Sequence, residues 1–367
     1  MHIALLGDLS ANDAILDLLK RGEDECVVRD VPATTRQCRL VLANLEACWD
    51  IDGQARPAGP PGKVHIRTDP NVIRVLKRLN VSVVSVANNH SFDFGYKGWK
   101  ALDERLNQEG IQSVGGGVNL MQAARPAVVE QEGYRIGILA YADRDCGAIL
   151  ASENTPGANP LDCDRAERDI RQLKKNCDCV IVSVHWGEER INMPAPKLRN
   201  WASAFAAAGA DVIAGHHPHV LQGYERLGTC NVFYSLGNFL LADIRENGRW
   251  AARYCGPNKM SSIPLLELTP DRSLRVDRIV GVRSTGRGVR LADSVRFHRT
   301  WRKLCQVLQA VDYEKEFFAH QDFMWRYYIP IRYRLMQEPI AVLRRCGLQQ
   351  LSRLFGFGAS PWLDKSA

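Results

Sequence analysis

With 367 residues, 46% of them hydrophobic and 24% charged, the chain has the make-up of a globular protein large enough for a full α/β domain and an appendage. No stretch approaches the ~18 consecutive apolar residues of a membrane span, and eleven scattered cysteines, an odd number with no C-x-x-C pair, argue against a disulfide framework or a zinc knuckle. A net charge of +7 is modest for this length, and no helix-turn-helix, RRM or zinc-finger pattern is present, so no nucleic-acid partner is expected.

The chain opens Met-His-Ile-Ala-Leu-Leu-Gly-Asp. Residues 3–6 read as a buried strand, and the apolar run is far shorter than a signal peptide's, so a cytoplasmic location is expected. A second strand is predicted at 40–45, followed by a Pro/Gly-rich surface loop at 57–62 that no helix or central strand tolerates. A helix at 71–79, a strand at 81–87 and a helix at 97–109 come next. Gly115-Gly116-Gly117 lacks the Gly-x-x-x-x-Gly-Lys frame of a phosphate loop and reads as a tight turn. Residues 127–142 form a hairpin pattern about Glu132-Gly133, and 155–160 read as a loop. Asp162 is placed to cap a helix at 162–175, which leads to a strand at 180–184, a helix at 196–208 and a strand at 212–214. A second hairpin pattern lies within 220–239 about Leu227-Gly228. Beyond about 290, Arg and Lys mix with Trp, Tyr, Phe and Leu, so 1–290 is expected to be the main domain and 291–367 a basic, aromatic helical appendage. That appendage is the candidate for peripheral membrane or protein contact, although amphipathic helices packed back on the main domain give the same pattern. Strands alternating with helices imply an α/β sheet with functional groups at strand ends, and the hairpins imply mixed sheets or two sheets packed together.

The strand ends carry a recurring chemistry. Gly7-Asp8 follows the first strand, Asn44-Leu45-Glu46 ends the second, Asn88-Asn89-His90 with Asp93 follows the third, His185-Trp186-Gly187-Glu188 the fourth, and Gly215-His216-His217-Pro218-His219 the fifth. One such group is explained by capping or a turn. Five in step place carboxylates, amides and imidazoles on one rim, where the carboxylates would repel each other unless a cation lay between them. Oxygen and imidazole donors together suit Mn, Fe or Zn better than Ca or Mg. The donors exceed four, so one or two divalent ions are expected, a pair being bridged by one carboxylate at about 3.5 to 4 Å. His90 and Asp93 are the candidates for proton transfer.

At these residues the chain resembles the CapA family of bacterial capsule and poly-gamma-glutamate synthesis proteins, within the calcineurin-like metallophosphoesterase superfamily. The matching pieces run in order from Gly7-Asp8 through Asn44-Leu45-Glu46, Ala87-Asn88-Asn89-His90 to Asp93 and Gly95, His185-Trp186-Gly187 with Glu189, and Gly215 to Val220, to Ser235-Leu236-Gly237-Asn238-Phe239. The resemblance implies a four-layer α-β-β-α sandwich with the site on the rim between two sheets. It assigns Asp8 and His219 to one metal, Asn89, His185 and His217 to the other, Glu46 between them, and His90 as the acid. Asn44, Asn88, Glu189 and Asn238 are then the groups expected to face substrate, an anionic small molecule or polymer, and His216 either faces substrate or supports the ligands from behind, a one-residue shift exchanging it with His217. Departures stand beside the match: Ser10 occupies the place of the superfamily's first-motif His, Glu46 that of an Asp, and Ser91 that of the acidic residue after the catalytic His. The family's usual membrane anchor is not expected here, since the first strand begins almost at Met1. A metal-dependent hydrolase is the first reading; a binding or assembly protein on the same fold is the second.

Overall fold

The computed structural model describes residues 1–329 apart from 52, 54–57, 60–62 and 247, so much of the loop expected at 57–62 and the appendage beyond 329 lie outside the described residues. The chain divides into two compact units after Cys305.

In the first unit the chain runs β1 (His2–Leu9), α1 (Asp13–Lys20), β2 (Leu40–Leu45), α2 (Val72–Arg78), β3 (Val83–Ser85), α3 (Gly95–Gln108) and β4 (Gln112–Val114). It continues through β5 (Ala127–Gln131), β6 (Tyr134–Ala142), α4 (Cys163–Lys174), β7 (Cys179–His185), α5 (Pro196–Ala208) and β8 (Val212–His216). Strands β9 (Tyr224–Leu227), β10 (Cys230–Phe233), β11 (Asn238–Leu240), β12 (Met260–Leu268), β13 (Leu274–Ser284) and β14 (Val289–Leu291) precede α6 (Val295–Val307).

Two mixed sheets result. The first has the order β14-β13-β12-β1-β2-β3-β4, with β11 pairing the end of β1; the second has the order β9-β10-β8-β7-β6-β5. Strands β1 to β4 are parallel, as are β6, β7, β8 and β10, while both hairpins expected from the sequence add antiparallel edges. The five apolar runs read from the sequence are all interior strands, because a strand covered on both faces must be apolar throughout.

The one-residue alternation of β1 shows how the layers are built. Ile3 and Leu5 enter a core shared with Ile136, Ile138, Ile181 and Val212 of the opposite sheet, whereas Ala4 and Leu6 face Ile15, Leu19, Leu76 and Leu106 of the outer helices. Helices α4 and α5 cover the other sheet. The four-layer sandwich expected from the resemblance is the architecture adopted. Asp162 caps α4 as expected, accepting a bond from the Arg165 amide at 2.8 Å.

Three features differ from the sequence reading. The segment 155–160 is more than a loop, since Gly157–Ala158 pairs with Gly116–Gly117. Strands β12 to β14 were not anticipated: alternation along β13 is broken by its solvent-facing charges. Helix α6 buries Phe297, Trp301 and Leu304 in the inter-sheet core, so the first unit runs past the change of composition at 290. The described part of the second unit holds helix α7 (Tyr313–Phe323) followed by a π-turn, with Phe318 and Trp325 exposed. Among the described residues no helix is long and apolar enough to cross a membrane.

Candidate metal centre

Strand register delivers the donors to one place. In the β1–β2 ladder Leu6 pairs with Ala43 and Asp8 with Asn44, so Gly7 is an extra residue, and this bulge turns Asp8 toward the rim. On the facing sheet His185 and His216 are partners at the ends of β7 and β8. The turn beyond β8 is held at φ 94° for His217 and 56° for His219. Positive φ at a non-glycine residue costs about 1–3 kcal/mol and persists where the surroundings enforce it.

At the centre stands Glu46, fully buried, with neither carboxylate oxygen hydrogen-bonded. Its Oε1 lies 3.8 Å from Nε2 of each of His90, His185 and His219. Asp8, Glu46 and His219 offer donor atoms all within 4.8 Å of one another. On the other side of Glu46, His185 Nε2 is 2.9 Å from Asn89 Oδ1 and 3.1 Å from His217 Nδ1. Asn89, His185 and His217 thus form a second polar group beside Glu46. Burial of an unpaired carboxylate is expensive, and a divalent cation is what this donor set would neutralise; the residues present fit one.

The electrostatics carry the same message. Burial, and after it the neighbouring Asp8, push the Glu46 carboxyl well above its usual range. Burial also acts to raise Asp8, but the adjacent imidazoles of His216 and His219 hold it well below. Burial lowers His185 strongly and takes His217 down to about 4, keeping both neutral and able to donate lone pairs. His219 is pushed up to about 10: burial opposes its charge, and Glu46 and Asp8 overcome it. Without a cation, two carboxylates compete for the protons of one imidazole.

Around these donors a second layer fixes orientation. His219 Nδ1 donates to Asn238 Oδ1 at 2.8 Å, which turns its Nε2 toward Glu46. Asn44 Nδ2 donates to Asp8 Oδ1 at 2.9 Å, and Asn88 donates to Asn44 Oδ1 at 3.1 Å and to the Leu45 carbonyl at 2.9 Å. His216 Nδ1 sits 3.2 Å from Asp8 Oδ1 without hydrogen-bond alignment. Thus Asn44, Asn88 and Asn238 are buried and hydrogen-bonded to neighbouring groups, and His216 is buried beside Asp8, because a rim between two sheets leaves no solvent behind its first layer. Glu189 is exposed at the mouth; crowding by the surrounding protein acts to raise its carboxyl, and His219, His217, Arg190 and His90 bring it below the usual range. His90 Nδ1 bonds Asp93 Oδ2 at 2.7 Å, so Asp93 lies behind His90.

Three groups of the site had no sequence signal. Tyr254 packs its ring 5.7 Å from that of His219, Asn258 donates to the His219 carbonyl at 3.1 Å, and Lys63 reaches Asp93. None follows one of the five apolar runs, which was the pattern that revealed the others.

If His217 is a donor, His217→Ala is expected to lower metal content by about tenfold or more with the fold kept, since a rim side chain is not core; elemental mass spectrometry beside a thermal melt checks this. Unchanged metal content would remove His217 from the donor set.

Taken together, fold and site define a two-sheet α/β protein with a buried carboxylate–imidazole centre suited to a divalent ion. The profile of the bacterial capsule synthesis protein family (PGA_cap) matches residues 2–243, and the chain belongs to that family. It is 37% identical over 241 residues to the PGA biosynthesis protein CapA of Bacillus subtilis (strain 168), covering 65% of this chain and 63% of that protein. To the capsule biosynthesis protein CapA of Bacillus anthracis it is 28% identical over 244 residues, covering 65% and 59%. The chain therefore spans less than two thirds of the length of these relatives. A putative 5'-nucleotidase of Staphylococcus aureus superposes with a TM-score of 0.43 at 11% identity, covering 80% of this chain and 55% of that one.

Proposed function

We propose that this chain is a metal-dependent hydrolase of phosphoesterase type that acts on an anionic substrate in capsule, polysaccharide or poly-gamma-glutamate synthesis. The observation that carries the reading is Glu46, buried and without a hydrogen-bond partner at the meeting point of three imidazoles. Asp8, Glu46 and His219 would hold one divalent ion, and Asn89, His185 and His217 with Glu46 a second. When bound, such ions supply positive charge to an anionic ester and a more acidic water.

The chain's own groups account for the rest. His90 Nε2 faces the centre while its Nδ1 is fixed on Asp93, an arrangement that presents one ring nitrogen to the leaving-group oxygen and holds the ring for proton delivery. Glu189 at the mouth repels the wrong orientation of an anionic substrate, leaving the imidazole side open to it. The three buried amides and His216 keep the donors in place and exclude water behind them.

His90→Ala is expected to keep its metal and lose about 100-fold or more in turnover of a phosphoester such as bis-p-nitrophenyl phosphate, read by rate and by elemental analysis of the same sample. Full activity in that variant would end the acid assignment. The second reading, a binding or assembly protein, is favoured by Ser10, whose hydroxyl is buried without a partner where a further imidazole would complete the centre. Metal analysis of chelator-free protein separates the two: one or two equivalents with turnover support the hydrolase, and metal-free protein without turnover supports the binder.

A further inference from the structure

Lys63 is a cation in an unusual place. Its side chain is 8% exposed, and its Nζ lies 2.7 Å from Oδ1 of Asp93, which is fully buried. The same ammonium donates to the main-chain carbonyl of Asn89. Nothing in the sequence links position 63 to the Asn89-His90 turn, yet one side chain touches both ends of it.

The turn is a small machine of fixed parts. Asn88 Oδ1 accepts bonds from the His90 amide at 3.0 Å and the Ser91 amide at 2.9 Å, which closes the turn from inside. Asp93 Oδ2 is occupied by His90 Nδ1 at 2.7 Å and the Ile66 amide at 2.8 Å. That leaves Asp93 Oδ1, with no hydrogen bond aligned to it, in contact with Lys63. A buried carboxylate deprived of its cation will move, accept a proton or admit water, and each of these displaces the imidazole it holds. Loss of the bond to the Asn89 carbonyl frees the residue whose side chain points at His185.

We propose that Lys63 is a positioning residue, tying the Asn89 donor and the His90–Asp93 pair into one rigid unit; this rests on the hydrolase reading above. Its contacts are with Asp93 and the Asn89 carbonyl, so it acts through His90 and Asn89. An ammonium suits the role because it reaches a carboxylate and a carbonyl at one point, whereas a planar guanidinium would need both acceptors in its plane.

Lys63→Met keeps the stem and removes the charge. It is expected to lower kcat for bis-p-nitrophenyl phosphate about 10- to 100-fold with KM within threefold, and to weaken Mn binding about tenfold by competition with a chromogenic chelator. The decisive arms are double variants. Lys63→Met should add no further loss of kcat in a His90→Ala background and no further loss of Mn affinity in an Asn89→Ala background, because the residue it acts through is gone. Equal losses in the single and double variants, or wild-type kcat and Mn affinity in Lys63→Met, would overturn the proposal while leaving the hydrolase reading intact. A wild-type protein with neither metal nor turnover overturns both. A melting temperature for every variant separates these effects from unfolding.

Discussion

Glu46→Gln is expected to strip the centre of its metal and, in the absence of metal, to make the protein more stable. Both effects have the same origin. Glu46 is fully buried with neither oxygen hydrogen-bonded, and the Asp8 carboxylate stands beside it. With a cation in place that charge is an attraction; without one it is an uncompensated burial. Removing it should cut Mn or Zn affinity at least about 100-fold and raise the stability of the metal-free protein by about 2 kcal/mol. For a unit of this size the gain is a melting-temperature rise of about 3 °C.

The pH dependence follows from the direction of the shift. Because burial and then Asp8 hold the Glu46 carboxyl well above its usual range, the metal-free wild type pays an increasing penalty as pH climbs above about 4.3, the value of an unfolded glutamate. Glutamine does not titrate, so its advantage is absent near that pH and grows toward neutrality. Melting curves in chelator and in saturating Mn, taken at several pH values, test this. A variant less stable than wild type in chelator would show that Glu46 holds the fold together by contacts other than its charge.

The second large effect is steric. Gly215 lies in β8, one residue before the histidine turn, and a Cβ built on it would stand 1.9 Å from the Tyr234 carbonyl oxygen and 2.7 Å from Trp186 Nε1. Neither neighbour can yield cheaply: one is main chain, and the Trp186 indole donates to that same carbonyl at 3.0 Å. Gly215→Ala is expected to cost about 3 kcal/mol, the upper part of the range for overpacking, and to lower the melting temperature by about 5 °C. Gly137→Ala is the control. Its new Cβ would stand 2.6 Å from the end of the Leu173 side chain, which can change rotamer, so a smaller loss is expected there. Equal losses in the two variants would mean that strand conformation, rather than the close approach at Tyr234, sets the cost. Gly215→Ala should also reduce metal content, since the clash pushes on the strand that carries His216 and His217.

Much of this arrangement was legible in the linear chain. Each of the five apolar runs had to be an interior strand, because only burial on both faces tolerates such sequences, and a parallel order sends their ends to the same rim. Asp8, Glu46, Asn89, His185, His217 and His219 could therefore be grouped from the linear chain, each standing one to five residues past a predicted strand. Helices α4 and α5 were equally readable from their helical patterns, the first with a cap at Asp162.

Other features were decided only when the chain folded. The residue types of Asn44, Asn88, His216 and Asn238 were compatible with substrate contact; their burial behind the donors depends on the second sheet closing over them. Tyr254 and Lys63 reach the site from segments without periodicity, across sequence separations that no local pattern encodes. Strands β12 to β14 extend the first sheet through antiparallel partners whose pairing is fixed by β1, not by their own composition. Local sequence thus determined which groups would stand at strand ends, since backbone periodicity and burial act over a few residues. Tertiary structure alone decided which of those groups face one another and which cation, amide or ring supports each, because those contacts are made between parts of the chain that only packing brings together.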